Sequence, residues 1–285
     1  MKSLCIKTNN SNLLKYLLNE FNDLDIPDVC FSSKEFKHYK NVIIHYTGNS
    51  KDLFLDKISY ILSLLVIDEL EESFLKQSIS HDYFYFNIHE QEKILNICFD
   101  IMSCDFSNIF DKKFKVLYKI FYNFISNNNV LYLTGFIKFR GKKYFEILDN
   151  IIAEAVNSYI IEKEYFEFIS LLQLYINSQP PQTELIHVIY SNSNTILLDS
   201  NREIINVSHE NLKSKYLSDI SFSNNDYTLN ALLTLLPKDI YIHLLVPYID
   251  DFINTLQNIF KNRIHICTNC NICNIYKKNT NPKSL

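Results

Sequence analysis

The segment SQPPQTELIHVIYSNSNTILLDS, residues 178–200, marks the point at which the chain changes its secondary structure. Pro180 and Pro181 cannot continue a helix, because proline lacks the backbone N–H and its ring clashes with the preceding turn. After them, ELIHVIYS and TILLDS are short apolar runs separated by NSN, which is the pattern of a β-hairpin. The sequence therefore predicts that a helical region ends near residue 178 and that a β-containing region begins near residue 184.

The residues that follow the hairpin alternate between helical and strand patterns. A helix is predicted for DYTLNALLTLL, with Asn224 or Asn225 as its N-cap and Pro237 at its end. The stretch DIYIHLLV predicts a strand, PYIDDFINTLQNIF a helix, and RIHIC a last strand. This alternation predicts an α/β sandwich over residues 184–275, with a mixed sheet because the hairpin adds an antiparallel strand. The polar tail, 276–285, is predicted to be disordered.

The chain before the proline pair divides into two predicted parts. Residues 51–178 show mainly helical periodicity, most clearly in DKKFKVLYKIFYNFI, where Phe114, Leu117 and Phe121 recur at helical spacing. Residues 1–50 contain the strand pattern LCIKT, the helical pattern NSNLLKYLLNEFNDL and the strand pattern NVIIHYTG, which together predict a β-α-β segment. A β-α-β segment, a helical middle region and a C-terminal α/β region place the chain in the α+β class.

Composition indicates a globular protein of a reducing compartment. With 285 residues, of which 47% are hydrophobic, the chain is too apolar to be disordered. Seven cysteines in a chain without a secretory signal indicate thiols or metal ligands and a cytoplasmic location. The longest apolar run, ISYILSLLVI, falls far short of the roughly 20 residues of a membrane-spanning helix. The net charge of -4 disfavours nucleic acid as the main partner.

Three cysteines near the C-terminus, Cys267, Cys270 and Cys273, have the spacing C-x-x-C-x-x-C. Thiolates at this spacing can wrap a tetrahedral ion, so these residues are candidate metal ligands. A closed zinc site needs a fourth ligand, and the candidates are His265, on the same predicted strand face as Cys267, and His243, on a strand that can pair with it. Zinc, an iron–sulfur cluster, a redox-active pair and plain reduced thiols all stay open as interpretations. The iron–sulfur interpretation is less favoured because the further Cys and Pro of the ferredoxin pattern are absent.

A second candidate site is basic. Lys138, Arg140, Lys142 and Lys143 cluster among aromatic residues, a composition that can grip anions such as phosphate. The alternative is a solvated face whose lysine stems cover apolar surface, and the acidic net charge favours this alternative. The four residues are therefore candidate contacts for an anion or a protein partner.

The sequence contains none of the familiar catalytic signatures. HExxH, GxxxxGK[ST], GxGxxG and GxSxG are all absent, so no residue is predicted to be catalytic and an enzyme of a familiar class is disfavoured. The remaining histidines show no ligand spacing and are expected at the surface or, with satisfied hydrogen bonds, in the core; they are His38, His45, His81, His89, His187 and His209.

Six segments occur in an order and spacing that resemble the YtxC-like sporulation proteins of endospore-forming bacteria. The resemblance is densest from Tyr132 to Cys273, and the chain departs from the family pattern at Gly141, where a larger apolar residue is usual. The segments are YLTGFIKFRGKKY, EKEYFEFISLL, QPP, HVIY, LLTLLPKDIYIH and IFKNRIHICTNCNIC. The positions that match the family pattern are Gly135, Phe136, Phe139, Arg140, Tyr144, Glu164, Tyr165, Phe168, Pro237, His243, Arg263, Cys267, Cys270 and Cys273.

The resemblance implies a setting in spore formation and no particular reaction, since the family has no assigned activity. Together with the missing catalytic signatures, it favours a sporulation-associated cytoplasmic protein that acts as a binding or regulatory module, with another protein of the sporulating cell as its partner. The alternative hypothesis is a metal-dependent enzyme or redox sensor built on the Cys cluster, with zinc or an iron–sulfur cluster as cofactor.

Overall fold

The computed structural model describes residues 1–285 except positions 25, 38, 192–193, 206–222, 247 and 281–285, so His38 and His209 lie outside the described residues. The chain forms two compact units, unit 1 (Met1–Glu162) and unit 2 (Lys163–Leu285). The division lies inside a single long helix, α7 (Lys142–Ser178), and not at the proline pair that follows it. The physical reason is that Ile169 and Ile176 of this helix are buried in the core of unit 2.

The strands of unit 1 form one mixed sheet. They are β1 (Lys2–Thr8), β2 (Val29–Glu35), β3 (Lys40–Tyr46) and β4 (Val130–Tyr132), in the order β2-β3-β1-β4. Strands β2 and β3 form an antiparallel hairpin, β1 pairs antiparallel with β3, and helix α1 (Ser11–Asn22) lies between β1 and β2 in the chain. The elements predicted for residues 1–50 are therefore present.

Strand β4 lies within residues 51–178, for which the sequence predicts mainly helices. It runs parallel to β1, with Cys5 opposite Val130 and Ile6 opposite Leu131. Three residues are too few to show the period-two alternation that identifies a strand in a sequence. This pairing joins the sheet directly to the helical region, which explains why residues 1–50 and the following helices form one unit.

The other helices of unit 1 follow β3. A π-helical turn (Val66–Leu70) joins the first two of them without a break. Among the residues described, none of the helices combines the length and the apolar character that crossing a lipid bilayer requires. The helices are α2 (Lys51–Leu65), α3 (Glu71–Asp82), α4 (Ile88–Cys104), α5 (Phe106–Asn127), α6 (Leu133–Arg140) and the first part of α7.

Helix α5 buries one stripe of side chains, as its amphipathic pattern predicts. Leu117, Phe121 and Ile125 are fully buried. On another side of the same helix, Lys112, Lys115 and Lys119 are exposed to solvent. Lys113 is the exception among the lysines, because it is buried and forms an ion pair with Glu71. The apolar stripe of α5 therefore includes one charged position, and its charge is balanced inside the core.

Unit 2 contains a second mixed sheet. Its strands are β5 (Thr183–Ser191), β6 (Asn194–Leu198), β7 (Pro237–Leu244) and β8 (Ile264–Cys267), in the order β6-β5-β7-β8. Strands β5 and β6 form the predicted antiparallel hairpin, while β7 runs parallel to both β5 and β8. The mixed sheet with a hairpin and the α+β class are thus confirmed.

The helices of unit 2 pack around this sheet. Helices α8 (Asn224–Leu235) and α9 (Asp251–Phe260) supply buried leucine, isoleucine and phenylalanine side chains to its core. The Arg263 guanidinium donates hydrogen bonds to the carbonyl oxygens of Pro237 and Ile176, at 3.0 and 3.3 Å. A further helix, α10 (Asn271–Thr280), includes residues 276–280 of the predicted disordered tail, and residues 281–285 lie outside the described residues.

Candidate metal centre

The pairing of β7 with β8 brings a histidine next to the first cysteine. In this parallel pair His243 lies opposite Cys267, and Tyr241 lies opposite His265. Residues two positions apart in a strand point to the same face, so both rows project from the same side of the sheet. His243 is 2% exposed, which places its imidazole in the interior of unit 2.

The turn after β8 and the start of α10 supply the other two cysteines. Cys270 directly precedes α10, and its carbonyl oxygen accepts the first backbone hydrogen bond of the helix, from the Asn274 N–H at 2.9 Å. Its Sγ accepts a second hydrogen bond from the Cys273 N–H at 3.4 Å, as an N-cap side chain does. The C-x-x-C spacing therefore places two sulfur atoms at a helix N-terminus, where the backbone favours negative charge.

The ligand atoms of these four residues converge. The sulfur of Cys273 is 3.8 Å from that of Cys267 and 3.6 Å from that of Cys270. Nδ1 of His243 is 3.4 Å from the sulfur atoms of both Cys270 and Cys273. All four ligand atoms lie within 4.8 Å of one another. We refer to His243, Cys267, Cys270 and Cys273 as the Cys3His cluster.

A small apolar cluster covers one side of the Cys3His cluster. Ile189, Leu198 and Ile272 are buried against each other, and Cys270 packs at their edge. Cys273 is fully buried, whereas Cys267 and Cys270 are partly accessible. An ion bound among the four ligand atoms would be shielded on the inner side and close to the surface on the other.

The environment sets different protonation states for the ligand atoms. Burial raises the pKa of Cys273 to about 11. Burial acts in the same direction on Cys270, but hydrogen bonds with Cys273 and Cys267 outweigh it, and the pKa of Cys270 lies below its ordinary value. Burial and the neighbouring His187 lower the pKa of His243 to about 4, so its imidazole is neutral at pH 7. Neutral imidazole is the form that binds a metal ion.

The second histidine that the sequence offered as a fourth ligand does not join the cluster. His265 lies on the same sheet face as His243, one row away. Its Nε2 is 3.0 Å from the carboxylate of Asp239, and its ring stacks on Tyr241 at a centroid distance of 4.8 Å. The structure therefore brings together Cys267, Cys270, Cys273 and His243, and gives His265 other partners.

The predicted basic cluster belongs to unit 1 and is spread over the end of α6 and the start of α7. Arg140 borders a surface cavity of about 420 Å³ that is also lined by Asn123 and Asn128. Lys138 donates to Gln77 Oε1 at 3.3 Å, and Lys142 forms an exposed ion pair with Glu146 at 3.9 Å. Arg140 and Lys143 are exposed. Their role as contacts for an anion or partner stays a prediction.

One residue at the centre was missed by sequence reasoning. His187 of β5 lies beside His243, with 2.9 Å between its Nδ1 and the His243 Nε2. Burial lowers the pKa of His187, and the charge of Arg202 acts in the same direction. Only the register of β5 against β7, which places His187 opposite Tyr241, could have identified it, and that register is not readable from the spacing of residues.

The fold and the side-chain cluster together define this chain as an α+β protein with a Cys3His group beside the edge strand of its second sheet. It belongs to the YtxC-like family, whose sequence model matches residues 56–265. The resemblance drawn from the sequence segments is thereby confirmed. The matched range contains His243 and His265 and ends before Cys267.

Comparison with individual proteins gives a match in sequence and none among solved structures. The chain is 23% identical over 217 residues to a protein of Bacillus subtilis (strain 168) with the name "Uncharacterized protein YtxC". The match covers 72% of this chain and 74% of that protein. No solved structure matches the chain significantly.

Proposed function

We propose that the Cys3His cluster binds one zinc ion and that the protein acts as a zinc-stabilised binding or regulatory module in spore formation. Zinc is coordinated by exactly the donor types that converge here, three thiolates and one imidazole, in many structural sites. The proposal joins two supports: the geometry of the cluster, and the membership of the chain in the YtxC-like family.

The main support for the zinc site is the agreement between the distances separating its ligand atoms and the edges of a tetrahedron. With Zn–S bonds of about 2.3 Å and Zn–N bonds of about 2.0 Å, tetrahedral geometry gives S–S edges of about 3.8 Å and S–N edges of about 3.5 Å. The cluster has S–S separations of 3.6 and 3.8 Å and two S–N separations of 3.4 Å. Four of the six edges therefore agree with a zinc tetrahedron, and all four ligand atoms lie within 4.8 Å of one another.

The donor set also decides which kind of zinc site is favoured. Catalytic zinc has three protein ligands and keeps the fourth position for water or substrate, whereas structural zinc has four protein ligands. Here four protein residues each offer one ligand atom. A closed site of this kind supports a structural role, and it favours a binding or regulatory module over a metal-dependent enzyme.

The competing interpretations of the cluster are less well supported by its geometry. Cubane and two-iron clusters are usually held by four thiolates, and the fourth ligand atom here is an imidazole nitrogen. A disulfide between Cys270 and Cys273 would require their sulfur atoms, now 3.6 Å apart, to approach to about 2.05 Å. All seven cysteines are free in this structure.

Elemental analysis of the full chain tests the zinc site. The protein is purified aerobically and anaerobically without a metal-binding tag, as the native sequence and as Cys270→Ser. Near-stoichiometric zinc that Cys270→Ser abolishes supports the proposal. A matched control is Cys30→Ser, which removes an exposed thiol of unit 1 and should leave the zinc content unchanged. Absence of metal from the native chain under both conditions, or iron with sulfide in its place, would contradict the proposal.

The sporulation setting needs a separate test, because it rests on the family alone. The zinc-loaded chain is used as bait in extracts of sporulating and of vegetative cells of its source organism. A stoichiometric protein partner that is captured from sporulating cells, and less well by Cys270→Ser, supports a binding module of spore formation. Repeated failure with a folded, zinc-loaded bait counts against it.

A further inference from the structure

His243 uses both nitrogen atoms of its ring, and each faces a different neighbour. Its Nδ1 lies 3.4 Å from the sulfur atoms of Cys270 and Cys273. Its Nε2 lies 2.9 Å from Nδ1 of His187 on the adjacent strand. Because a neutral imidazole carries one N–H and one lone pair, the role of one nitrogen fixes the role of the other.

A metal ion in the cluster would remove the ambiguity of this histidine pair. Without an ion, either ring can donate the hydrogen bond between His187 and His243. With an ion bound at Nδ1 of His243, the lone pair of that nitrogen is used, so the proton must be at Nε2. Nδ1 of His187 then has to accept, and the His187 ring carries its own proton at Nε2.

The sheet holds His187 at the distance that this role needs. His187 is paired with Tyr241 in the parallel β5–β7 ladder, so it is the diagonal neighbour of His243 on the same face. Its ring also packs against Tyr241, with 5.9 Å between the ring centroids. Both histidines are therefore carried by regular strands, which fix a side chain more firmly than a loop does.

We infer that His187 is a positioning residue of the metal centre: its Nδ1 accepts a hydrogen bond from the Nε2–H of His243 and so fixes the tautomer and orientation in which His243 Nδ1 binds zinc. The inference rests on the proposed zinc site. It adds a residue that has no ligand spacing in the sequence and lies 56 positions from the histidine it orients. Partners of this kind typically change metal affinity by about 10- to 100-fold when they are removed.

The test compares two substitutions of His187 in the full-length chain. His187→Leu removes the acceptor, whereas His187→Asn places a carboxamide oxygen near the position of Nδ1 and can still accept. Zinc affinity is measured by competition with a chelator, and the folded state is checked by circular dichroism. We expect His187→Leu to bind zinc about 10- to 100-fold more weakly and His187→Asn to recover most of the affinity.

A matched control and a spectroscopic measurement separate positioning from general structure. His265→Leu removes a histidine from the same sheet face that pairs with Asp239, and it should leave zinc affinity unchanged. In the cobalt-substituted protein, His187→Leu should alter the visible d–d bands, and His187→Asn should keep those of the native chain. In the zinc-loaded native protein, ¹⁵N NMR should show the proton of His243 on Nε2.

The outcomes distinguish this inference from the proposed function. Zinc binding that is lost in Cys270→Ser but unchanged in His187→Leu leaves the zinc site intact and overturns the role of His187. Equal loss of zinc affinity in His187→Leu and His187→Asn also overturns the role of His187. If His187 acts as an acceptor, the carboxamide oxygen of asparagine should restore zinc binding. If the native chain binds no zinc at all, the proposed function and this inference both fail.

Discussion

Units 1 and 2 each bury a group of polar side chains, but they balance it differently. In unit 1, Lys113 Nζ is 2.5 Å from one carboxylate oxygen of Glu71, and the Tyr144 hydroxyl donates to the other oxygen at 2.9 Å. All three side chains are buried. In unit 2, the Cys3His cluster consists of thiols and an imidazole in contact with one another. One group contains its own counter-charge, and the other offers four ligand atoms to an ion.

The difference corresponds to the size of the surrounding cores. Among the residues that the structure describes, the buried apolar cluster of unit 1 is larger than both clusters of unit 2 together. A large core can bear the cost of dehydrating a charged pair, provided that each polar atom is hydrogen-bonded. Sulfur atoms form only weak hydrogen bonds, so contacts among thiols contribute little by themselves. The proposed zinc ion should therefore stabilise unit 2 far more than unit 1.

The largest effect is expected from removal of the proposed zinc ion. A chelator, or Cys273→Ser, should unfold unit 2 and leave unit 1 folded, because structural zinc contributes about 10–16 kcal/mol of apparent binding energy. That is comparable to the whole stability of a typical domain, about 5–15 kcal/mol. Hydrogen exchange resolved along the full chain measures it: protection of β7 and β8 should disappear while protection of α5 persists.

Unchanged hydrogen exchange of β7 and β8 after chelation would contradict this prediction. The matched control for the loss of a thiol is Cys30→Ser, since Cys30 is an exposed residue of unit 1. This variant should keep the protection of both units and the zinc content of the native protein.

The buried ion pair of unit 1 should give the next largest effect. Lys113→Met leaves the carboxylate of Glu71 buried without its counter-charge, which we expect to cost about 3–5 kcal/mol in the free energy of unfolding. The double variant Glu71→Gln with Lys113→Met removes both charges and keeps an acceptor for the Tyr144 hydroxyl, so it should recover much of the loss. Urea unfolding followed by hydrogen exchange in unit 1 measures both.

Zinc content should be the same in these variants as in the native chain, because the ion pair and the Cys3His cluster belong to different units. A loss below about 1 kcal/mol for Lys113→Met would show that Glu71 becomes protonated or hydrated at little cost. Such a small loss would mean that the buried ion pair of unit 1 does not depend on its counter-charge, and the contrast with the Cys3His cluster of unit 2 would be lost.

Helix caps should have smaller effects that still differ between the units. In unit 1, Asn87 and Glu90 form a capping box at the start of α4, and Asn87→Ala should cost about 1 kcal/mol. In unit 2, Asp250 accepts from the Ile253 N–H at 3.0 Å and also from the hydroxyl of Tyr190, so Asp250→Ala should cost about 2 kcal/mol.

Asp250→Asn sharpens this prediction because asparagine is as good an N-cap. With its oxygen accepting from the Ile253 N–H, its amide nitrogen takes the place of Oδ2 and donates to the Tyr190 hydroxyl oxygen. Thermal unfolding of the three variants should rank Asp250→Ala below Asn87→Ala, and Asp250→Asn above both. The reverse order for the two alanine variants would mean that the Tyr190 hydrogen bond adds nothing to the cap.

The smallest effects are expected at the surface, where the units should not differ. Lys238 and Glu184 form an exposed ion pair at 3.2 Å in unit 2. In unit 1, Lys40 and Glu35 form a partly exposed ion pair at 2.9 Å. Lys238→Ala and Lys40→Ala should each change the free energy of unfolding by less than about 1 kcal/mol. Both changes should shrink further in 1 M salt. A larger effect in urea unfolding would place one of these pairs in a network with further residues.

The amino-acid sequence by itself predicted the elements that local chemistry decides. Pro180 and Pro181 end α7 because proline cannot continue a helix, and the apolar runs around NSN pair as the β5–β6 hairpin. The C-x-x-C-x-x-C spacing identified three of the four members of the Cys3His cluster, because residues three apart at a turn and a helix start cannot lie far from each other.

Only the tertiary structure decided between residues that are distant in the chain. His243 and not His265 completes the Cys3His cluster because the register of β7 against β8 sets His243 opposite Cys267. His187 reaches His243 across 56 positions through the register of β5 against β7. Register, unlike turn chemistry or helical period, depends on which strands are neighbours, and that is decided by contacts between residues far apart in the chain.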